Sequence, residues 1–136
     1  MSAASPIRGT VPDWSRLVRD SMTQHGGWHT HAKLLEARTA YPDDLDLRGY
    51  LEIVRNSIVR DFLTLPSGMH AVPKLSPEFL TNFDQFNLSA QEGYLISLID
   101  GRLDLQKLMI ISPFDQFTTL FYFAKLQQQR AILLPQ

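Results

Sequence analysis

Apolar residues recur along most of this chain at the three- and four-residue spacing of helices, interrupted by short clusters of Gly, Pro, Ser and Asp. The clearest run is Leu47, Leu51, Val54, Ile58 and Phe62, which draws one continuous core stripe along a helix. Arg48, Glu52, Arg55 and Arg60 lie mostly off that stripe. Upstream, Pro12-Asp13 opens a first helix, with Asp13 as N-cap and Trp14, Leu17, Val18 and Met22 on one face. Gly26-Gly27 breaks it. A second helix is expected over residues 30–41, with Ala32, Leu35 and Ala37 turned inward, and Pro42-Asp43-Asp44 ends it and begins the third.

The C-terminal third carries stronger punctuation. Ser89 followed by Glu92 forms a capping box in which hydroxyl and carboxylate each satisfy the other residue's backbone N–H. Tyr94, Leu95, Leu98 and Ile99 follow on one face, and Asp100-Gly101 stops the helix, the glycine adopting the left-handed C′ position. Asp104 caps a second short helix with Leu105, Leu108 and Met109 apolar. Ser112-Pro113 predicts the start of a third helix, serine as N-cap and proline at the first helical position, with Asp115 in the first turn opposing the dipole. This helix should run to about residue 128. Residues 130–134 read as a short extended tail ended by Pro135.

Between these halves, residues 65–87 read as a packed linker. Pro66-Ser67-Gly68 marks a turn, residues 72–75 are extended at most, and Ser76-Pro77-Glu78 starts a helical turn. That turn is expected to carry Phe79, Leu80, Phe83 and Phe86 into the C-terminal module. The organisation is a flexible tail over 1–12, an N-terminal helical part over 13–64, the linker, and a module over 88–136. The fold class is all-α (mainly α): an N-terminal helical part packed on a C-terminal winged-helix-like three-helix module with a short strand-like tail.

With 136 residues, 44% hydrophobic and 20% charged, the chain suits one cooperative domain with its own core. A formal net charge of −1 removes bulk attraction to nucleic acid or anionic membrane. The absence of cysteine excludes disulfides, thiolate nucleophiles and Cys-type zinc sites. No secretory signal is expected at the N-terminus, and the apolar runs are far shorter than the ~20 residues that span a bilayer. These readings point to a cytoplasmic protein without membrane insertion.

Two resemblances attach to these motifs. Residues 30–62, two helices joined through AYPDDLDLRGYL, resemble the helix-turn-helix join of tetratricopeptide repeats, although there is one unit and not an array. The stretch LSAQEGYLISLIDGRLDLQKLMIIS resembles a helical module of bacterial multidomain signalling and motility-associated proteins, matched at Leu88, Ser89, Glu92, Gly93, Tyr94, Ser97, Ile99, Asp100 and Gly101. With the Ser-Pro-started helix that follows in that module, the resemblance covers about a third of the chain. It implies a non-enzymatic regulatory or scaffolding role and brings no catalytic residues.

Candidate chemistry is sparse. His25, His29 and His31 in HGGWHTH lack the helical H-E-x-x-H arrangement, and a solvated loop anchored by Trp28 is the expectation. Asp43, Asp44 and Asp46 read as loop and cap, without the glycine step of a calcium loop. No phosphate-binding loop or dinucleotide fingerprint is present, so no catalytic, cofactor or metal residue is assigned. The alternative of a winged-helix-type DNA-binding regulator suffers from Asp115 at the start of the third C-terminal helix, where phosphates would lie. What remains is apolar surplus. On a helical wheel Phe114, Phe117, Leu120, Phe121 and Ala124 form a core face, while Tyr122, Phe123 and Leu126 fall on the other side. These three are the candidate partner-binding residues. The partner is another protein or a second copy of the chain, unless the chain covers them itself.

Overall fold

The computed structural model describes residues 11–135, so nearly all of the 1–12 tail lies outside the described residues. The fold is mainly α, with seven α-helices and a single two-stranded sheet among those residues. The chain divides into two compact units, residues 1–58 and 59–136, and the boundary falls inside a helix.

The first unit contains α1 (Trp14–His25), α2 (Gly27–Ala40) and most of α3 (Leu45–Leu63). Asp13 caps α1 by accepting from the Arg16 N–H at 3.2 Å. Gly26 alone separates α1 from α2, so the glycine pair joins two packed helices at a corner. The next residue, Gly27, is needed for space: a Cβ there would lie 2.9 Å from Ile58 Cγ1. Helix α2 is therefore longer at its start than expected and presents a different face. Thr30, His31 and Leu34 are buried, while Ala32 is exposed and Leu35 and Ala37 are only half-buried. The Thr30 hydroxyl is held by Ser21 Oγ at 2.7 Å and the Gly26 carbonyl at 2.9 Å, which lets a polar residue occupy the α1–α2 seam. Asp44 begins α3, accepting from the Leu47 N–H through Oδ1 and from Trp14 Nε1 through Oδ2, at 3.1 and 2.8 Å. One carboxylate thus caps the third helix and ties it to the first. All five members of the expected α3 stripe are buried.

In the second unit the stretch that reads as linker is structured. A 3-10 turn at Gly68–His70 leads to β1 (Lys74–Leu75), α4 (Pro77–Asn82) and a further 3-10 turn at Phe83–Gln85. Phe79 and Phe86 meet edge to face at 5.2 Å, but Leu80 and Phe83 remain 62% and 65% exposed. The six-residue α4 is too short to turn all four apolar side chains inward. Then come α5 (Ala90–Ser97), α6 (Leu105–Ile111), α7 (Gln116–Gln128) and β2 (Ile132–Leu133). Strand β2 pairs antiparallel with β1, Lys74 opposite Leu133 and Leu75 opposite Ile132. The C-terminal tail therefore closes back on the start of the unit. Ser76 reinforces the closure: its N–H donates to Ala131 O and its hydroxyl to Arg130 O, at 3.0 and 2.6 Å.

Helix α7 starts three residues later than the Ser112-Pro113 signal predicts. Asp115 is its N-cap, accepting from both the N–H and the hydroxyl of Thr118 at 2.8 Å. Ser112 instead caps the local turn, accepting from the Phe114 N–H and sharing a hydrogen bond with Thr119 Oγ1. A carboxylate that collects two donors makes the stronger cap.

Candidate functional site

Helix α7 is the centre of the second unit, packed on α5, α6 and β2. Phe123 and Leu126 are 0% exposed, so two of the three expected partner residues are covered by the chain itself. The physical reason is the central position of α7: both its faces meet other elements, and a helix apolar on two sides is accommodated by burial. Tyr122 alone of the three keeps accessible surface.

That tyrosine belongs to an aromatic surface whose other members the sequence pattern does not single out. Tyr94 on α5 meets Phe114 edge to face at 6.4 Å, Phe114 meets Tyr122 in the same way at 6.1 Å, and Tyr122 lies 6.4 Å from Phe121. Tyr94 is 48% exposed and the other three are half-buried. At the end of α6, Ile110 and Ile111 are 76% and 48% exposed. Near Ile110 a groove is lined by Met69, Gln106, Met109, Ile110 and Gln116. A helical wheel separates Phe114 and Phe121 from Tyr122. The late start of α7 places Phe114 in the preceding loop, where it bridges to Tyr94 and Tyr122.

Glu92 holds this face in place. Its Oε1 accepts from the Ser89 N–H at 2.8 Å while Ser89 Oγ accepts from the Glu92 N–H at 3.2 Å, the complete capping box. The other oxygen, Oε2, is buried and lies 3.2 Å from Lys125 Nζ on α7. That contact is an ion pair without the alignment of a hydrogen bond, and it links the α5 start to the last turn of α7.

Asp100 in the loop after α5 and Asp115 at the start of α7 both act on the backbone. The Leu103 and then the Arg102 N–H hold the Asp100 carboxyl below its ordinary value. The Thr118 N–H, then its hydroxyl, do the same for Asp115. Both carboxylates occupy turn and cap positions. Gly101 is left-handed as expected, but α5 ends earlier, at Ser97 with Leu98 as C-cap, so the glycine shapes the loop after the helix and does not occupy its C′ position.

The histidines do not form a solvated loop. His25 ends α1, and His29 and His31 lie on α2. The exposed His25 and His29 rings are 4.3 Å apart, whereas His31 is buried and accepts from Arg55 Nε at 3.1 Å. An imidazole accepting at Nε2 is neutral, with its proton on Nδ1. Among the described residues no group of three or more His, Cys, Asp or Glu gathers to hold a metal ion. No helix among them is long and apolar enough to cross a membrane.

No family model, curated protein or solved structure matches the chain.

Proposed function

We propose that the protein is a non-enzymatic protein–protein interaction module that docks through the aromatic face of its second unit. The observation that carries this reading is the edge-to-face series Tyr94, Phe114 and Tyr122, part-exposed on a frame held by the Glu92 cap and its Lys125 ion pair. Tyrosine supplies large contact area with few rotors to immobilise and a hydroxyl for the rim, which suits an interface anchor. The resemblance of residues 88–112 to modules of bacterial signalling and motility-associated proteins supports a cytoplasmic regulatory or scaffolding assembly as the setting. The DNA-binding alternative gains nothing from the start of α7. Asp115 is ionised there, flanked by Gln116 and Phe117 without a cation, and would repel phosphate.

The test is association by the doubly substituted Tyr94→Ser/Tyr122→Ser chain. It should keep the helical circular dichroism of the parent. It should also lose the partner that the parent retains from its native cytoplasm, or the self-association seen in sedimentation. Unchanged partner recovery and sedimentation in a folded variant would end the reading. Shift of a random DNA duplex, weakening steeply with salt, would replace it with the DNA-binding one.

A further inference from the structure

The first unit carries a feature that the interaction reading leaves unused. Arg38, Arg48 and Arg55 line one open cleft of about 450 Å³, together with Leu51 and Glu52. Arg48 and Arg55 are seven residues apart on α3, two helical turns and so about 10.5 Å along its axis on nearly the same side. Arg38 comes from the last turn of α2. The buried Leu51 lies between the α3 arginines in sequence, and it adds an apolar floor.

The guanidinium groups differ in how they are held. Arg55 donates from Nη1 to Glu52 Oε1 at 3.0 Å and from Nε to the buried His31 at 3.1 Å, which fixes its plane. Arg48 donates from Nη2 to the Pro42 carbonyl at 3.1 Å. Arg38 makes no hydrogen bond or ion pair with another described residue. Three cations against one carboxylate leave the cleft with a formal charge of +2. The whole first unit has seven basic and seven acidic side chains. The unit as a whole therefore has no net formal charge, and bulk attraction gives it no preference for a nucleic acid.

We propose that this cleft binds a compact oxyanion, a phosphate-bearing small molecule. Guanidinium forks match phosphate oxygens in planar, paired hydrogen bonds, and a cleft of this size suits a small ligand. Arg38 and Arg48 supply the donors. Arg55, oriented by Glu52 and His31, contributes field and shapes the wall.

The experiment is calorimetric titration of the full chain with pyrophosphate, orthophosphate and ribose 5-phosphate in a non-anionic buffer at low ionic strength. Saturable one-to-one binding is expected for at least one probe. Arg38→Ala and Arg48→Ala should each weaken it by about tenfold, the loss of one charge-assisted contact. Arg60→Ala, an exposed α3 cation outside the cleft, should bind as the parent does. Circular dichroism controls for folding, and Arg38→Gln, which keeps a polar, hydrogen-bonding side chain without the charge, should match Arg38→Ala in affinity. Tighter binding of the sugar phosphate than of the free anions identifies a phosphate ester as the source, and the reverse identifies free phosphate. Absence of saturable binding to all three probes overturns the proposal. So does equal binding by parent and both cleft variants, or displacement of pyrophosphate by duplex DNA at lower concentration than by any small probe.

Discussion

The Glu92 carboxylate divides its two oxygens between a helix cap and a cation, and the two roles can be separated. Gln at this position still completes a capping box. Glu92→Gln should therefore keep the bond to the Ser89 N–H and lose only the Lys125 pairing, whereas Glu92→Ala loses both. In urea melts the alanine variant should be the less stable by about 1 kcal/mol, the size of one cap contribution. Equal losses would mean the cap contributes nothing. Arg130 presents the opposite case, a local cost that the fold tolerates. It sits at φ 66, with its N–H on Gln127 O and the Ala131 N–H on Leu126 O, the paired bonds of a left-handed helix end. Arg130→Gly should raise stability by about 1 kcal/mol by relieving the side-chain penalty of that conformation. Asp115 supplies a pH signature. Its folded carboxyl is held below the ordinary 3.8, so its contribution is fully present above that value and disappears as pH falls through the lower folded value. Asp115→Asn keeps a good N-cap and should flatten the acid limb of stability below about pH 4.

At the scale of elements, α3 and α2 show why a strong apolar period and a weak one differ in what they reveal. The α3 stripe has large apolar residues at every inward step, so only one rotation about its axis buries it. Leu51→Ala should cost about 2–5 kcal/mol in a denaturant melt. Arg55→Ala, off the stripe, should cost roughly 1 kcal/mol, because it removes the bond to buried His31 as well as the Glu52 ion pair. Helix α2 offers no such stripe. Its rotation is chosen by the Ser21–Thr30 hydrogen bond, the Arg55–His31 contact and the close approach of Gly27 to Ile58, none of which has a sequence period. Helix α7 adds competition between signals. Ser112-Pro113 and Asp115 are both acceptable starts, and the carboxylate with two donors from Thr118 prevails.

At the scale of the molecule, local signals predict the mainly α fold, the α3 core face, the Ser89–Glu92 cap and the extended tail. Each of these is written in residues within a few positions of one another, where backbone geometry and capping chemistry decide the outcome. Burial across sequence distance is a different matter. Phe123 and Tyr122 are neighbours on one apolar side of a wheel, yet Phe123 is in the core and Tyr122 reaches the surface. Phe123→Ala should accordingly lower the stability of the isolated chain by about 3–5 kcal/mol. Tyr122→Ser should cost about 1 kcal/mol, mainly the ring contact with Phe114. A reversed order in thermal or urea melts would show that the α7 faces are exchanged. The sequence alone determined which segments are helical, where most of them start and stop, and that the chain offers no cysteine chemistry. Only the tertiary structure decided which apolar side chains are covered, that residues 74–75 and 132–133 pair, and that Arg38 joins Arg48 and Arg55 around one cleft. Those outcomes depend on segments distant in the chain meeting in space, and the local periodicity of a helix carries no record of its partner.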